Sequence, residues 1–526
     1  MISRLQNKLK LLGIQWCMVP REDSFLGEFV PSHNERLKWL TGFSGSAGIA
    51  LIGQEKGFLF VDGRYTLQAV QETKNITILS LSDFFEKLPE IISISEEVLI
   101  DPLLHSCVFI EAIEKKLSKN QIVFQKTPID ELWEDRPLPK LVTIKELDIS
   151  VVGESRESKL KRVFEQCSSD ALFIHDPHEV AWLLNIRGNE IDYTPIALLK
   201  AIAFRNGQVE VLVQAHHETT PLNNVRFIKN ISASSFREIQ VDPEASKGDY
   251  LELSNQGKVF QTKSPISLLK AIKNETEIHW MKQAQQRDSE VFKQFIPWLK
   301  VQKNIDERTV GEYVDDLRSK QPGFHSLSFP TICGFRENGA IIHYHASEKS
   351  NLNITNGVLL IDSGGQYEGG TTDITRTFVM GMPTEEQKKA YTLVLKGNLR
   401  LERAIFPMGT KGYQLDILAR LDLWEHGLNY PHGTGHGVGA FLSVHEGPQG
   451  ISPRNNPTEL VPGMILSNEP GVYKEGEFGI RIENLLLVKE SLIPGFLCFE
   501  RLTNVPYEND LINFDLLTDI EKKQLT

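Results

Sequence analysis

Cysteine is scarce in this chain. Cys17, Cys107, Cys167, Cys333 and Cys498 are scattered over 526 positions, odd in number and free of any C-x-x-C spacing. That pattern excludes a disulfide framework and a zinc finger, and it suits a reducing compartment. No apolar run approaches the ~18 residues of a membrane span. The N-terminus also lacks the continuous apolar core of a secretory signal; Met1 to Leu12 carries its apolar residues at helical spacing instead. Positive charge is not in excess. Lys and Arg number 57 against 69 Asp and Glu, a net charge of −12, so a nucleic-acid backbone is not the expected partner. The glycine-rich run Gly433 to Gly439 lacks the G-K-[S/T] of a phosphate loop and the strand–helix setting of a dinucleotide site. A cytoplasmic globular protein with neither membrane nor nucleic-acid partner is what remains. Its 40% hydrophobic and 24% charged residues are ordinary for that class.

A chain of this length makes about three domains at roughly 100–200 residues each. The first two thirds hold a faint repeat. Arg36-Leu37-Lys38-Trp39-Leu40-Thr41-Gly42 has an echo in Glu179-Val180-Ala181-Trp182-Leu183-Leu184-Asn185. Each copy follows an amphipathic helix and a short apolar strand (Cys17 to Val19, Ala171 to Ile174). Each precedes further strand-like runs, at Gly57 to Val61 and Gln208 to Leu212. Two related α/β domains account for this. Proline-rich sequence from Glu134 to Lys145 marks a linker, and a second boundary falls near Lys263 to Asn274. The expected domains are therefore 1–145, 146–268 and 269–526. In the last, Asn274 to Glu277 and Thr384 to Gln387 have the form of capping boxes ahead of helical apolar faces. Helices interleaved with antiparallel hairpins make this third domain α+β.

Two pairs of carboxylates stand out in that domain. Asp362 and Asp373 flank the turn-rich run Gly364 to Gly370, and Glu469 and Glu483 flank a segment centred near Gly476. The loop midpoints place each pair directly opposed across a hairpin, about 4.5–5.5 Å apart. Like charges so placed repel unless a cation lies between them. Four carboxylates and an imidazole suit two divalent ions such as Mn²⁺, Co²⁺ or Zn²⁺. The imidazole is expected from Pro431-His432-Gly433-Thr434-Gly435-His436-Gly437, where the glycines make a helix implausible. His445 and His343 are candidate donors to a developing oxyanion. Arg481 shares a strand face with Glu483, suited to orienting a carboxylate or a substrate carbonyl. His345, Glu368 and Glu446 read as solvated loop residues.

At these residues the chain resembles the aminopeptidase P (Xaa-Pro aminopeptidase) family, metallopeptidases of the pita-bread fold. The likeness runs over nearly the whole chain. It includes Asp362-Ser363-Gly364, Thr371 to Thr377, His432 to Gly439, Val444-His445-Glu446-Gly447-Pro448, Asn468-Glu469-Pro470-Gly471 and Arg481-Ile482-Glu483-Asn484. In the N-terminal part it includes Gly42 to Gly48 and Val61-Asp62-Gly63-Arg64-Tyr65. The resemblance implies two creatinase-like α/β domains before a pita-bread catalytic domain, the three-domain cytosolic layout. It implies that Asp362 chelates one metal, that His436 and Glu469 bind the other, and that Asp373 and Glu483 bridge. It further implies a bridging water or hydroxide as nucleophile and Glu469 as general base. His343 and His445 would serve the oxyanion, His432 the proline side of the substrate, and Tyr473 and Arg481 would support the site. Manganese and a homodimer are the family's usual metal and assembly. Relatives of this layout continue past the segment matching Leu516 to Asp519, so tail-dependent contacts stay open.

The expected activity is hydrolysis of the N-terminal Xaa-Pro bond of peptides. The nearest alternative is prolidase, which uses the same five ligands on dipeptides; the His445 loop and the three-domain layout favour the aminopeptidase. A non-catalytic peptide- or histone-binding module of the same fold would have lost the ligands, and all five are present.

Overall fold

The computed structural model describes residues 1–117, 122–348 and 350–525. The chain divides into two compact units, the first made of residues 1–146, 156–192 and 196–265, the second of 147–155, 193–195 and 266–526.

The first unit contains two six-stranded sheets of one topology. In the first, strands run in the order Thr77–Ser80, Gly57–Val61, Gly48–Gly53, Trp16–Pro20, Val98–Ile100, Ile122–Phe124. In the second, the order is Val225–Ile228, Val209–Leu212, Lys200–Phe204, Ala171–Ile174, Glu238–Val241, Lys258–Gln261. Pairing matches strand for strand. The central strand is antiparallel to the next in sequence, that one is antiparallel to the third, and the other contacts are parallel. The faint Trp-Leu echo is thus the trace of a duplicated architecture. The two echoing helices, Arg36–Thr41 and Pro177–Leu184, both end on a left-handed residue, Gly42 (φ 86°) and Asn185 (φ 55°). Glycine and asparagine are the residues that adopt this conformation at least cost.

The second unit is the α+β domain. Both capping boxes form, at Asn274 ahead of Glu275–Val301 and at Thr384 ahead of Glu385–Glu402. The strand Gly357–Ser363 lies between Ile332–Phe335 and Ile374–Met380. Its alternate residues separate by face, as the period of two requires. Leu359 and Ile361 pack among Phe292, Phe295, Val310 and Val314 of the helices Glu275–Val301 and Glu307–Ser319. Val358 joins Val394 and Leu395 of the helix Glu385–Glu402, with Ile480 and Ile482. A six-stranded sheet carries the rest of the site in the order Ile405–Pro407, Phe496–Arg501, Asn484–Glu490, Ile465–Asn468, Gly435–Gly437, Glu446–Ile451. The hairpin Gly471–Lys474 with Phe478–Arg481 extends from it. The glycine-rich segment is strand rather than helix, as its composition requires. Among the described residues no helix is long and apolar enough to cross a membrane.

Candidate metal centre

Glu469 and Glu483 follow the geometry of their hairpin. Asn468 pairs with Asn484 in one ladder and Gly471 with Arg481 in the next, so one register runs through both and sets the two glutamates opposite each other at the junction. The aspartates do not follow it. Asp362 pairs with Thr375, so Asp373 is its diagonal neighbour on the same face rather than its direct partner. The cause lies in the intervening segment, where Gly365–Tyr367 and Gly370–Thr371 pair in a separate small sheet with Phe324–Leu327. Gly365 N–H also donates to Thr372 Oγ1 at 2.8 Å. The loop is lopsided, and counting to its midpoint misses the register by two residues on one strand.

The carboxylates are nevertheless gathered. Asp362, Asp373 and Glu483 are buried and Glu469 half-buried. One oxygen of Asp362 accepts from Arg481 Nη2 at 2.7 Å, and the other is buried with no hydrogen-bond partner. One oxygen of Glu483 accepts from Thr375 Oγ1 at 2.8 Å, and its other is likewise buried without a partner. Ligand atoms of Asp373, His436 and Glu483 lie within 4.8 Å of one another. Burial pushes the Asp362 carboxyl up to about 6, with Asp373 and Glu469 adding to the rise and Arg481 opposing it. Burial, then Asp373, Glu469 and Asp362, hold Glu483 well above the usual carboxylate range.

His436 completes the group. Its Nδ1–H donates to the Gly437 carbonyl at 2.9 Å, which directs the Nε2 lone pair toward Asp373 Oδ2 at 3.5 Å and Glu469 Oε1 at 3.4 Å. A lone pair aimed at two carboxylates is unfavourable unless a cation or a proton sits between. Despite burial, a hydrogen bond to Asp373 and the charges of Glu469 and Asp373 raise this imidazole to about 9. An imidazole with its far nitrogen donating to a backbone carbonyl is the arrangement of a metal ligand. The donor set, the orphaned oxygens and this tautomer fit divalent ions.

The glycines of the loop are required by close approach. A Cβ on Gly435 would stand 1.8 Å from the Ser467 carbonyl oxygen. Ser467 Oγ accepts from His436 N–H and donates to Glu469 Oε1, both at 3.0 Å. From behind, the helix Gly412–Trp424 grips the loop. Arg420 Nη2 donates to the His432 carbonyl at 2.6 Å, and Asp416 accepts from Thr434 Oγ1 at 2.6 Å.

The other expected residues border this group. Arg481 Nη1 donates to the Tyr473 hydroxyl at 2.8 Å, Tyr473 donates to His432 Nε2 at 2.8 Å, and His432 Nδ1–H donates to the Gly433 carbonyl at 2.8 Å. Burial, with Arg481 beside it, holds His432 neutral, its pKa lowered to about 3. His445 is exposed and stands edge-on to His436, ring centroids 4.5 Å apart. His343 is half-buried in the turn after the short helix Arg336–Ala340, close enough for its charge to act on His432. Glu368 and His345 are exposed, as expected. Glu446 is not a solvated loop residue: it is 4% exposed and its carboxylate meets Lys270 and Lys273.

Sequence reasoning missed Thr375, whose hydroxyl receives Arg481 Nε at 3.1 Å and donates to Glu483. It also missed the layer behind the aspartates. Asp288, fully buried in mid-helix, accepts from Arg318 Nε and Nη2 at 3.0 and 3.1 Å, from the Tyr367 hydroxyl at 2.5 Å and from Thr372 Oγ1 at 2.7 Å. Arg318 Nη2 also donates to Ser363 Oγ at 3.1 Å. Ser363 adjoins Asp362 and Thr372 adjoins Asp373, so this ion pair fixes the backbone beside both.

A second cluster, Glu190 with His216 and His217 in the first unit, has ligand-like composition. Its tautomer argues against metal. His217 Nδ1 accepts from Gln214 N–H at 3.1 Å, so its proton is on Nε2, which donates to Glu190 Oε2 at 3.0 Å. It is a hydrogen-bonded clasp.

Residues 279–490 match metallopeptidase family M24, and residues 1–132 and 135–277 each match the creatinase/prolidase N-terminal domain. The chain is 38% identical to a probable Xaa-Pro aminopeptidase P of Botryotinia fuckeliana, over 100% of this chain and 88% of that one. It is 35% identical to Xaa-Pro aminopeptidase 1 of Dictyostelium discoideum, over 99% and 90%. Among solved structures, the X-prolyl aminopeptidase of Caenorhabditis elegans, described as a cytosolic enzyme with a di-nuclear active site, superposes with a TM-score of 0.90 at 29% identity, covering 99% of this chain and 93% of that one. The prolidase of Pyrococcus horikoshii OT3 gives a TM-score of 0.55 at 25% identity, covering 67% and 99%.

Proposed function

Because the chain belongs to the Xaa-Pro aminopeptidase P family of M24 metallopeptidases, with two creatinase-type domains ahead of the pita-bread domain, we propose that it releases the first residue of peptides that carry proline second. The observation that carries this reading is the setting of His436: its Nδ1–H is committed to a backbone carbonyl, its Nε2 faces Asp373 and Glu469, and the neighbouring Asp362 and Glu483 each keep a buried, unpartnered oxygen. Asp362 would hold one divalent ion and His436 and Glu469 the other, with Asp373 and Glu483 serving both. The ions, when bound, supply Lewis acidity that activates water at neutral pH and polarises the scissile carbonyl. Manganese is the metal in this reading.

The remaining work falls to the chain's own side chains. Glu469 takes a proton from the attacking water and returns it to the proline nitrogen as the C–N bond breaks. His445 and His343 donate to the oxygen that gains charge. Arg481 keeps Asp362 and Tyr473 in place, and His432 lines the proline side. The reading includes the cytoplasm as compartment, domain boundaries near 145 and 268, and a homodimer. In support of the last, Tyr413, Ile417 and Trp424 stand exposed along one side of the helix Gly412–Trp424.

The test compares X-Pro-Y-Z, X-Ala-Y-Z and the dipeptide X-Pro with purified protein and added Mn²⁺. Cleavage of the first alone is expected. Equal cleavage of X-Ala-Y-Z removes the proline requirement, and preference for the dipeptide makes the enzyme a prolidase.

A further inference from the structure

Glu446 opens the strand Glu446–Ile451, directly after His445. Its carboxylate lies between two lysines whose side chains are 5% and 1% exposed, Lys270 Nζ at 2.8 Å from Oε2 and Lys273 Nζ against Oε1. Burial alone would raise this carboxyl, but the two ammonium groups outweigh it and hold it below the usual range. The group is a buried anion between two cations, in a chain segment that sequence composition gives no reason to bury.

The lysines come from a well-anchored stretch. Lys273 N–H donates to the Gly463 carbonyl at 3.0 Å, and Ile272 bridges to Met464. On the other side, Glu446 is wedged into the loop that leaves the His436 strand. Gly437 pairs with Glu446 across a bulge, and a Cβ there would stand 2.2 Å from the Glu446 carbonyl oxygen. A Cβ on Gly439 would stand 2.8 Å from Glu446 Oε2. Only glycines let the loop close over this side chain.

His445 is the bend residue immediately before this strand, and its exposed ring stands edge-on to His436. Holding the Glu446 carboxylate on two buried lysines fixes the backbone that carries His445. We propose that Glu446, clamped by Lys270 and Lys273, is a positioning residue that sets His445 for its work in catalysis. The proposal rests on the role given to His445 above.

The test is a double-mutant cycle on the metal-loaded full chain. Glu446→Gln keeps the shape and removes the charge. Its kcat is expected to fall about 10–100-fold, the scale for partners that orient a functional group, with KM within about twofold and metal content unchanged. In the His445→Ala background the same change is expected to lower kcat no further. A merely structural Glu446 would lower the unfolding midpoint while leaving kcat per folded molecule intact, and that result overturns the proposal. So does an equal further loss in the His445→Ala background. If His445→Ala alone leaves kcat at the wild-type value, the role of His445 falls first and the proposal with it. Should Glu446→Gln fail to fold, Lys273→Met leaves Lys270 against the carboxylate and enters the same cycle with the same criteria.

Discussion

Replacing Asp288 with asparagine removes one charge from the layer behind the aspartates. Asp288 accepts four hydrogen bonds, two on each oxygen: Arg318 Nε and the Tyr367 hydroxyl on Oδ1, Arg318 Nη2 and Thr372 Oγ1 on Oδ2. An asparagine carbonyl can keep the first two. Its amide then faces Arg318 Nη2, donor against donor, and the buried Arg318 charge keeps only Asp315, 3.8 Å from Nη1, as counter-ion. Breaking a buried pair in this way costs about 3–5 kcal/mol. At roughly 2–4 °C per kcal/mol for a domain of 150–250 residues, the unfolding midpoint of the second unit drops on the order of 10 °C. The same substitution loosens Thr372 and Ser363 beside the two aspartates, so affinity for divalent ions falls about 10–100-fold. Thermal unfolding by circular dichroism reads the first effect, and titration of chelator-stripped protein with Mn²⁺ reads the second. A stability loss under ~1 kcal/mol would mean that burial of Arg318 does not depend on this carboxylate, and the reasoning would fail. Unchanged ion affinity alongside the full stability loss would separate the scaffold from the site.

Asp373→Asn is expected to abolish turnover, since one bridging charge is lost; near-wild-type activity with unchanged metal content would refute the bridge. His445→Ala is expected to lower kcat about 10²–10³-fold, the usual effect of removing one oxyanion donor. A change confined to KM would show that it only holds substrate. His105 tests the first unit. Its buried ring stacks on Phe109 at 5.1 Å with Nε2 unpartnered, and burial lowers its pKa from 6.5 to about 3. Unfolded chain takes up this proton below pH 6.5 and native chain does not until about 3, so the stability is present above pH 6.5 and is lost as pH falls. Relative to His105→Phe, the wild type is expected to lose about 2 kcal/mol between pH 7 and 5. A pH-independent difference in urea unfolding would refute this.

The fold and the glutamates were legible because their signals are local. A period of two separates Leu359 and Ile361 from Asp362, and one uninterrupted register carries Glu469 to Glu483. The aspartates were gathered correctly but with the wrong register, since the separate pairing of Gly365–Tyr367 with Gly370–Thr371 leaves no mark in the spacing. Glu446 was misread because its lysine partner lies 173 residues away. Asp288 was invisible for a similar reason. In mid-helix it resembles any solvent-facing acid until Arg318, Tyr367 and Thr372 converge on it.

The bond between Tyr473 and His432 changes what that imidazole is. With Nδ1–H donating to its neighbour's carbonyl and Nε2 accepting a phenol proton, no polar atom is left to offer a guest. What remains is a flat, uncharged plate of aromatic carbon, indifferent to acidity over the whole working range. Such a plate suits a pyrrolidine, which is itself a saturated ring with no N–H to present. A ring chosen elsewhere for its ability to carry protons has here been wired to behave like a phenylalanine.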